Sequence, residues 1–189
     1  MGREVNLTKA KGVLVAQVFS LVEERFGKKG IDRLEEALGS DVFARLYPPH
    51  LSTWYQFHDV IELWKATDKH LGRGDLSLLQ EVIERGVEWD LTNVYKIFFK
   101  IGNPVFLLKR GTSMWKNYYS DGRWEVVGTS SGVHGTLLDF PDPHPVHCFT
   151  VLTWLRKFLS FTRVSNPRVE MTTCRANGDA ACIFEGSWE

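Results

Sequence analysis

The sequence predicts an α+β fold in which a helical N-terminal half packs on an antiparallel sheet. Up to about residue 118, apolar residues recur at the helical spacings of three and four. From Asp121-Gly122 onward they alternate with polar residues, as they do in strands. The C-terminal part has the order ββαββ. Because helices and hairpins are segregated along the chain, an antiparallel sheet is favoured over a doubly wound parallel one.

The N-terminal half contains a series of amphipathic segments separated by glycine and proline. One segment, capped by Ser52, places Trp54, Phe57, Ile61 and Trp64 on one stripe of a helix. Another, starting near Thr92, is apolar on more than one side and is expected to be a nearly buried central helix. The helices with two expected ends run from Thr8 or Lys9 to Phe26, over about 30–38, over 41–46, over about 92–101, and from Pro104 to Tyr118. Two further helices are expected to begin at Ser52 and at Asp75 or Ser77.

The C-terminal half is predicted to contain two hairpins and one helix. The first hairpin turns at 129–132, and the helix runs from about Val146 to Phe161. The closing hairpin, 167–188, turns at Asn177-Gly178, a dipeptide that tolerates the positive φ angles of a type I′ turn.

The register of the closing hairpin decides where its two cysteines lie. With a two-residue turn, Met171 faces Phe184 and Val169 faces Gly186. Cys174 and Cys182 then lie on opposite faces, so a disulfide or a shared metal between them is not expected. A three-residue loop would instead place the two cysteines opposite each other.

Composition excludes several classes of partner. The 189 residues carry 23 basic and 23 acidic side chains with no charged block, which argues against nucleic acid and anionic membrane as partners. The longest mainly apolar uncharged run, 143–155, is too short to span a bilayer. Three cysteines are too few for a disulfide scaffold. We therefore expect a soluble, cytoplasmic protein.

Histidine and cysteine side chains offer weak metal candidates. The run HPVHC contains His144, His147 and Cys148, whose imidazole and thiolate groups ligate zinc or haem. No second pair at metal-ligand spacing accompanies them, so no metal site is predicted. No catalytic residue is predicted either, because the sequence lacks a phosphate loop, a GxSxG elbow and an HExxH motif. Enzymatic activity is therefore unsupported.

The aromatic residues are the strongest indication of a binding site, since they make up 13% of the chain. Aromatic side chains line apolar pockets, but they also form protein interfaces, and composition does not separate the two uses. The pocket candidates are Trp54, Phe57, Trp64, Phe98, Phe99, Phe106, Trp115 and Tyr118.

The C-terminal half resembles the 4-vinyl-reductase-like domain. The features that carry this resemblance are the ββαββ order, the pairs Tyr118-Tyr119 and Asp121-Gly122, and the closing Cys174…Gly178…Cys182-Ile183-Phe184. It covers about 50–188 and implies a ligand-binding domain, 51–189, with an N-terminal helical extension, 1–50, packed on the same core. It implies a fold shared with haem–nitric-oxide sensor domains and TRAPP vesicle-tethering subunits. Proteins of this group are often dimeric. The resemblance also implies a pocket between helices and sheet that binds hydrophobic, aromatic, tetrapyrrole-related or lipid molecules. The Tyr-x-Ser-x-Arg signature of the haem sensors is absent.

Three functional hypotheses follow from these observations. The first is a non-catalytic sensor module that binds a small hydrophobic or aromatic molecule in an interior pocket, requires no cofactor and signals through a protein partner. The second is a scaffold protein that uses the same fold to form a homodimer or bind partners. The third is a haem sensor in which His147 or His134 ligates the iron.

Overall fold

A computed structural model describes residues 8–94, 104–162 and 164–189. It confirms the predicted α+β class, with helices preceding an antiparallel sheet and one helix between its two hairpins. The helices are α1 (Gly12–Leu38), α2 (Ser40–Leu46), α3 (Phe57–Leu71), α4 (Ser77–Trp89), α5 (Pro104–Ser113) and α6 (Pro145–Ser160). The strands are β1 (Lys9–Lys11), β2 (Trp54–Gln56), β3 (Arg123–Gly128), β4 (Gly132–Leu138), β5 (Arg168–Thr173) and β6 (Cys182–Ser187).

The long helix α1 contains a kink at the position where a break was predicted. Gly27 has φ 60° and ψ −155°, which interrupts the helix between its two apolar parts. Glycine adopts this left-handed φ without the steric cost that a Cβ would impose. Before the kink, Val15, Val18 and Val22 are fully buried, and α1 packs against α3.

Two expected helix starts are strands in the structure. Lys9–Lys11 and Trp54–Gln56 form a two-stranded antiparallel ribbon, so the helices predicted to begin at Thr8 or Lys9 and at Ser52 begin later. The ribbon is fixed by long-range hydrogen bonds, including Gly12 N to Thr53 O at 2.8 Å and Phe57 N to Thr8 O at 2.9 Å. Such tertiary pairing overrides local helical periodicity.

The C-terminal sheet has the strand order β3-β4-β6-β5, and every neighbouring pair is antiparallel. Helix α6 packs against this sheet and against α4. Its buried side includes His147, Cys148, Val151 and Phe158. The sheet and α6 therefore form the two layers expected of the ββαββ order.

The closing hairpin departs from its predicted register near the turn. Val169 faces Gly186 and Met171 faces Phe184, as predicted, but a bulge then pairs Thr173 with Ile183. The connection between the two strands is also longer than a type I′ turn. Residues Arg175–Asn177 form a 3₁₀ turn, and Gly178, with a φ of 99°, follows it as the C-cap residue. A bulge adds one residue to one strand and so reverses the side that the following residues face.

The segment between α4 and α5 is described only at its start. A five-residue π-helix, Asp90–Val94, continues directly from α4. Most of the central helix predicted over 92–101 lies outside the described residues. Helix α5 ends at Ser113, earlier than predicted, and a 3₁₀ turn over Trp115–Asn117 follows it. Within the described part of the chain, none of the helices has the length and apolar character needed to cross a bilayer.

Candidate ligand cavity and cysteine cluster

A cavity of about 100 Å³ lies between the helices and the sheet. Helices α1, α4, α5 and α6 and strands β3, β4, β5 and β6 all contribute to its wall, which is almost entirely apolar. Alternation along β3 places Trp124 and Val126 on the cavity side and leaves Val127 exposed. At Gly135 on β4, an added Cβ would lie 3.3 Å from the Trp124 ring, so glycine lets this ring lie close to the strand.

The polar groups of the cavity wall are few. Asp90, at the end of α4, is 7% exposed, and its Oδ2 accepts a hydrogen bond from the Tyr118 hydroxyl at 2.5 Å. Burial raises the pKa of Asp90, and the hydrogen bond from Tyr118 opposes that increase. The Gln17 carboxamide lies against Gly86, one helical turn before Asp90. Asp90, Tyr118 and Gln17 therefore supply polar side-chain groups in a wall that is otherwise mainly apolar.

A cluster of aromatic rings next to the cavity encloses His147. The imidazole stacks on Phe140 with ring centroids 4.5 Å apart and contacts Phe57, Trp115 and Tyr119 edge-on or at a tilt. Its Nε2 is buried and has no hydrogen-bond partner among the described residues. Burial, aided by His144, lowers the pKa of His147 to about 3. His147 is therefore a neutral core histidine at physiological pH.

The three cysteines converge on one buried site, which corrects the prediction that Cys174 and Cys182 lie on opposite faces. The bulge turns Cys174 to the inner side of the hairpin, where it joins Cys182 and also Cys148 of α6. The Sγ of Cys148 lies 3.1 Å from that of Cys174 and 3.9 Å from that of Cys182. All three sulfur atoms lie within 4.8 Å of one another.

Electrostatics at the cysteine cluster favour a thiolate at Cys182. Its sulfur accepts hydrogen bonds from the Cys148 thiol and, at 3.4 Å, from the Arg175 backbone N–H, which together lower the pKa of Cys182. Tetrahedral zinc holds sulfur ligands at about 2.3 Å, which places them about 3.8 Å apart. The 3.9 Å separation of Cys148 and Cys182 matches this spacing, whereas the 3.1 Å separation of Cys148 and Cys174 would have to widen for the cluster to hold a metal ion. In the described ranges, no further His, Cys, Asp or Glu ligand atom joins this group.

The structure brings together only some of the predicted pocket residues. Trp115 and Tyr118 line the cavity. Phe57 and Trp64 are buried outside its wall, and Trp54 is 39% exposed, with the Lys11 ammonium 4.5 Å from its ring centroid. Phe106 is half-exposed and also does not line the cavity. Phe98 and Phe99 lie outside the described residues.

The weak metal candidate His144 and the possible haem ligand His134 both lie apart from the cysteine sulfurs. His144 caps α6, where its Nδ1 accepts a hydrogen bond from Val146 N at 3.2 Å. His134, on β4, lies 2.7 Å from the Glu185 carboxylate on the neighbouring strand. Neither histidine belongs to the three-cysteine group or to the cavity wall.

Sequence reasoning missed Asp90 and Gln17 as cavity residues. A usable signal existed for Asp90, which follows Ile83 and Val87 at helical spacing and so continues the buried face of α4 with a carboxylate. Gln17 gives no such signal, because a single glutamine on a helix most often faces solvent.

The comparisons with known proteins show similarity at the level of fold. The solved structures that resemble this chain include an Fe(II) unliganded H-NOX protein from K. algicida, with 14% identity, a TM-score of 0.67 and coverage of 95% of this chain and 96% of that one. The IWP-051-bound H-NOX from Shewanella woodyi has 12% identity, a TM-score of 0.68 and 93% coverage of both chains. An oxygen-binding H-NOX domain related to soluble guanylate cyclases has 12% identity, a TM-score of 0.60 and 95% coverage of both.

No family model matches the sequence, and the search of curated proteins finds no match. At 10–14% identity, the structural similarity establishes an H-NOX-like fold for this chain. The predicted fold, shared with haem–nitric-oxide sensor domains, is thereby confirmed.

The described cavity wall lacks the side chains that commonly ligate the iron of haem, the group named for similar H-NOX structures. None of the described wall residues is a histidine or cysteine, which are common axial ligands of haem iron. His147, one of the two predicted haem ligands, is enclosed by aromatic rings, and His134 lies on β4 beside Glu185.

Proposed function

We propose that this chain is a non-catalytic sensor module that binds a small apolar or aromatic molecule in the cavity between helices and sheet. The cavity carries the proposal, because its wall is apolar and its volume of about 100 Å³ suits a small ligand with a single ring. For comparison, an engineered apolar cavity of about 150 Å³ takes up benzene. Binding would order the surrounding helices and so alter the surface that a protein partner reads.

The wider fold supports this proposal without identifying the ligand. The similar H-NOX structures include an oxygen complex and a protein in the Fe(II)CO ligation state. We infer that this chain uses the corresponding interior directly for an organic ligand, as the 4-vinyl-reductase-like resemblance implies. Cytoplasmic location, a homodimeric state and the division at residue 50 into an extension and a binding domain belong to the same proposal.

Native mass spectrometry and a thermal-shift screen with small apolar compounds test the proposal. We expect either a bound molecule in the purified protein or a rise in melting temperature with at least one compound. Val126→Phe should fill the cavity and abolish the shift, because Val126 lines it. Val127→Phe is the matched control, since Val127 is the next residue of β3 and is 64% exposed.

Bare protein with no shift across the library would contradict ligand binding. The scaffold hypothesis would then be favoured, and sedimentation measurements would show whether the chain forms a homodimer. Addition of haem provides a separate check. We expect no Soret band, whereas a stable band that is lost in Val126→Phe would favour the haem sensor.

We further propose that the three cysteines bind one thiophilic metal ion, with zinc as the first probe. Such an ion would join the closing hairpin to α6 through Cys148, Cys174 and Cys182. Protein purified with zinc should contain about one ion per chain by elemental analysis, and Cys182→Ser should lose it. His144→Gln is the control and should retain zinc, because His144 lies outside the cluster. Three free thiols and no zinc in the wild-type protein would refute the metal site.

A further inference from the structure

The cavity has one charged side chain among its described wall residues, the Asp90 carboxylate. Asp90 is buried, and within the described part of the chain no lysine, arginine or histidine forms an ion pair with it. Its Oδ2 accepts the hydrogen bond from Tyr118, whereas its Oδ1 has no partner among these residues. The site therefore has an acceptor oxygen and an uncompensated negative charge beside an apolar space.

An uncompensated buried carboxylate is unfavourable, because it loses hydration without gaining an opposite charge. Burial accordingly raises the pKa of Asp90. A ligand hydroxyl would satisfy a hydrogen bond, but Tyr118 already supplies one, and the charge would remain. A ligand cation would supply both a donor and the missing positive charge.

The rest of the wall suits an organic cation. Trp115, Trp124 and Trp154 line the same cavity, and the faces of aromatic rings attract cations. The described wall has no positive side chain that would repel an ammonium group. The Gln17 carboxamide reaches the cavity from α1, beside Gly86 of α4, and adds a neutral acceptor.

We propose that the ligand of this cavity is a small aromatic or alicyclic amine whose ammonium group pairs with Asp90 while its rings occupy the apolar space. Tyr118 is a positioning residue that orients the carboxylate through its hydroxyl. This inference rests on the proposed function, since it names the class of molecule that the cavity binds.

Three probes that share one benzene ring test the inference: benzylamine, benzyl alcohol and toluene. Their dissociation constants are measured by calorimetry on the full chain and on the variants Asp90→Asn, Tyr118→Phe and Glu88→Gln. We expect benzylamine to bind the wild-type protein at least tenfold more tightly than the other two. Asp90→Asn should remove that preference, and Tyr118→Phe should weaken amine binding about threefold while leaving toluene binding unchanged. Glu88→Gln removes the same charge from an exposed position on α4 and should have no effect.

The outcomes separate this inference from the proposed function. If all three probes bind equally, or if Asp90→Asn keeps the amine preference, the inference is overturned while ligand binding stands. If none of the probes binds, the inference is also overturned, and the wider apolar screen with Val126→Phe decides the proposed function. A melting temperature measured for each variant without ligand shows that the variant is folded.

Discussion

Asp68→Ala should lower the free energy of unfolding by about 3 kcal/mol, because it leaves several buried backbone N–H groups without an acceptor. Asp68 is 2% exposed and lies on α3, yet it caps the start of α4. Its carboxylate accepts hydrogen bonds from the backbone N–H groups of Leu76 at 2.8 Å, Leu78 at 3.1 Å and Leu79 at 3.4 Å. Denaturant unfolding followed by circular dichroism measures the loss.

Asp75→Ala is the matched control for this substitution. Asp75 also caps the start of α4, through a hydrogen bond from Ser77 N at 3.0 Å, but its side chain is exposed. Water can replace that hydrogen bond, so the loss of stability should be clearly smaller than for Asp68→Ala. Equal losses for the two variants would show that the capping role of Asp68 is not enhanced by its burial.

His147 should make the protein less stable as the pH falls below about 6.5. Its pKa is about 3 in the folded state, so the unfolded chain, in which a histidine titrates near 6.5, binds the proton first. Stability is therefore lost as the pH falls from about 6.5 toward 3. At pH 5 this effect alone should amount to about 2 kcal/mol relative to pH 8.

His147→Phe should remove this contribution, because phenylalanine keeps an aromatic ring in the cluster but has no proton to bind. The unfolding free energy measured between pH 8 and pH 5 should then fall by about 2 kcal/mol less than in the wild-type protein. His58→Gln, a substitution at an exposed histidine of α3, should leave the wild-type slope unchanged. Parallel pH profiles for the wild type and His147→Phe would contradict the assignment.

The fold could be predicted from sequence where local patterns and tertiary structure agree. Alternation along β3 and β4 and the ββαββ order depend on the burial of one sheet face, which the sequence displays directly. The break at Gly27 was predictable because it needs a left-handed φ. Strands β1 and β2 were missed because each has three residues and is held by the other, a contact that no local pattern shows.

The candidate site was less predictable than the fold. Trp115 and Tyr118 line the cavity, but Trp64 and Phe57 have the same sequence character and pack elsewhere, since an apolar stripe does not reveal whether it faces a core or a space. Asp90 was detectable as a carboxylate on an apolar helix face. The cysteine cluster was not, because it depends on the bulge between Met171 and Thr173.

The bulge between Met171 and Thr173 determines whether a chain of this fold brings its cysteines together. A deletion of one residue within 171–173 would restore regular alternation and turn the side chain at Cys174 away from α6, while leaving the order of helices and strands intact. Chains of the same topology can therefore differ in whether they hold three thiols together. The spacing of the cysteines along the sequence, rather than the overall similarity of two chains, is the feature that would sort them.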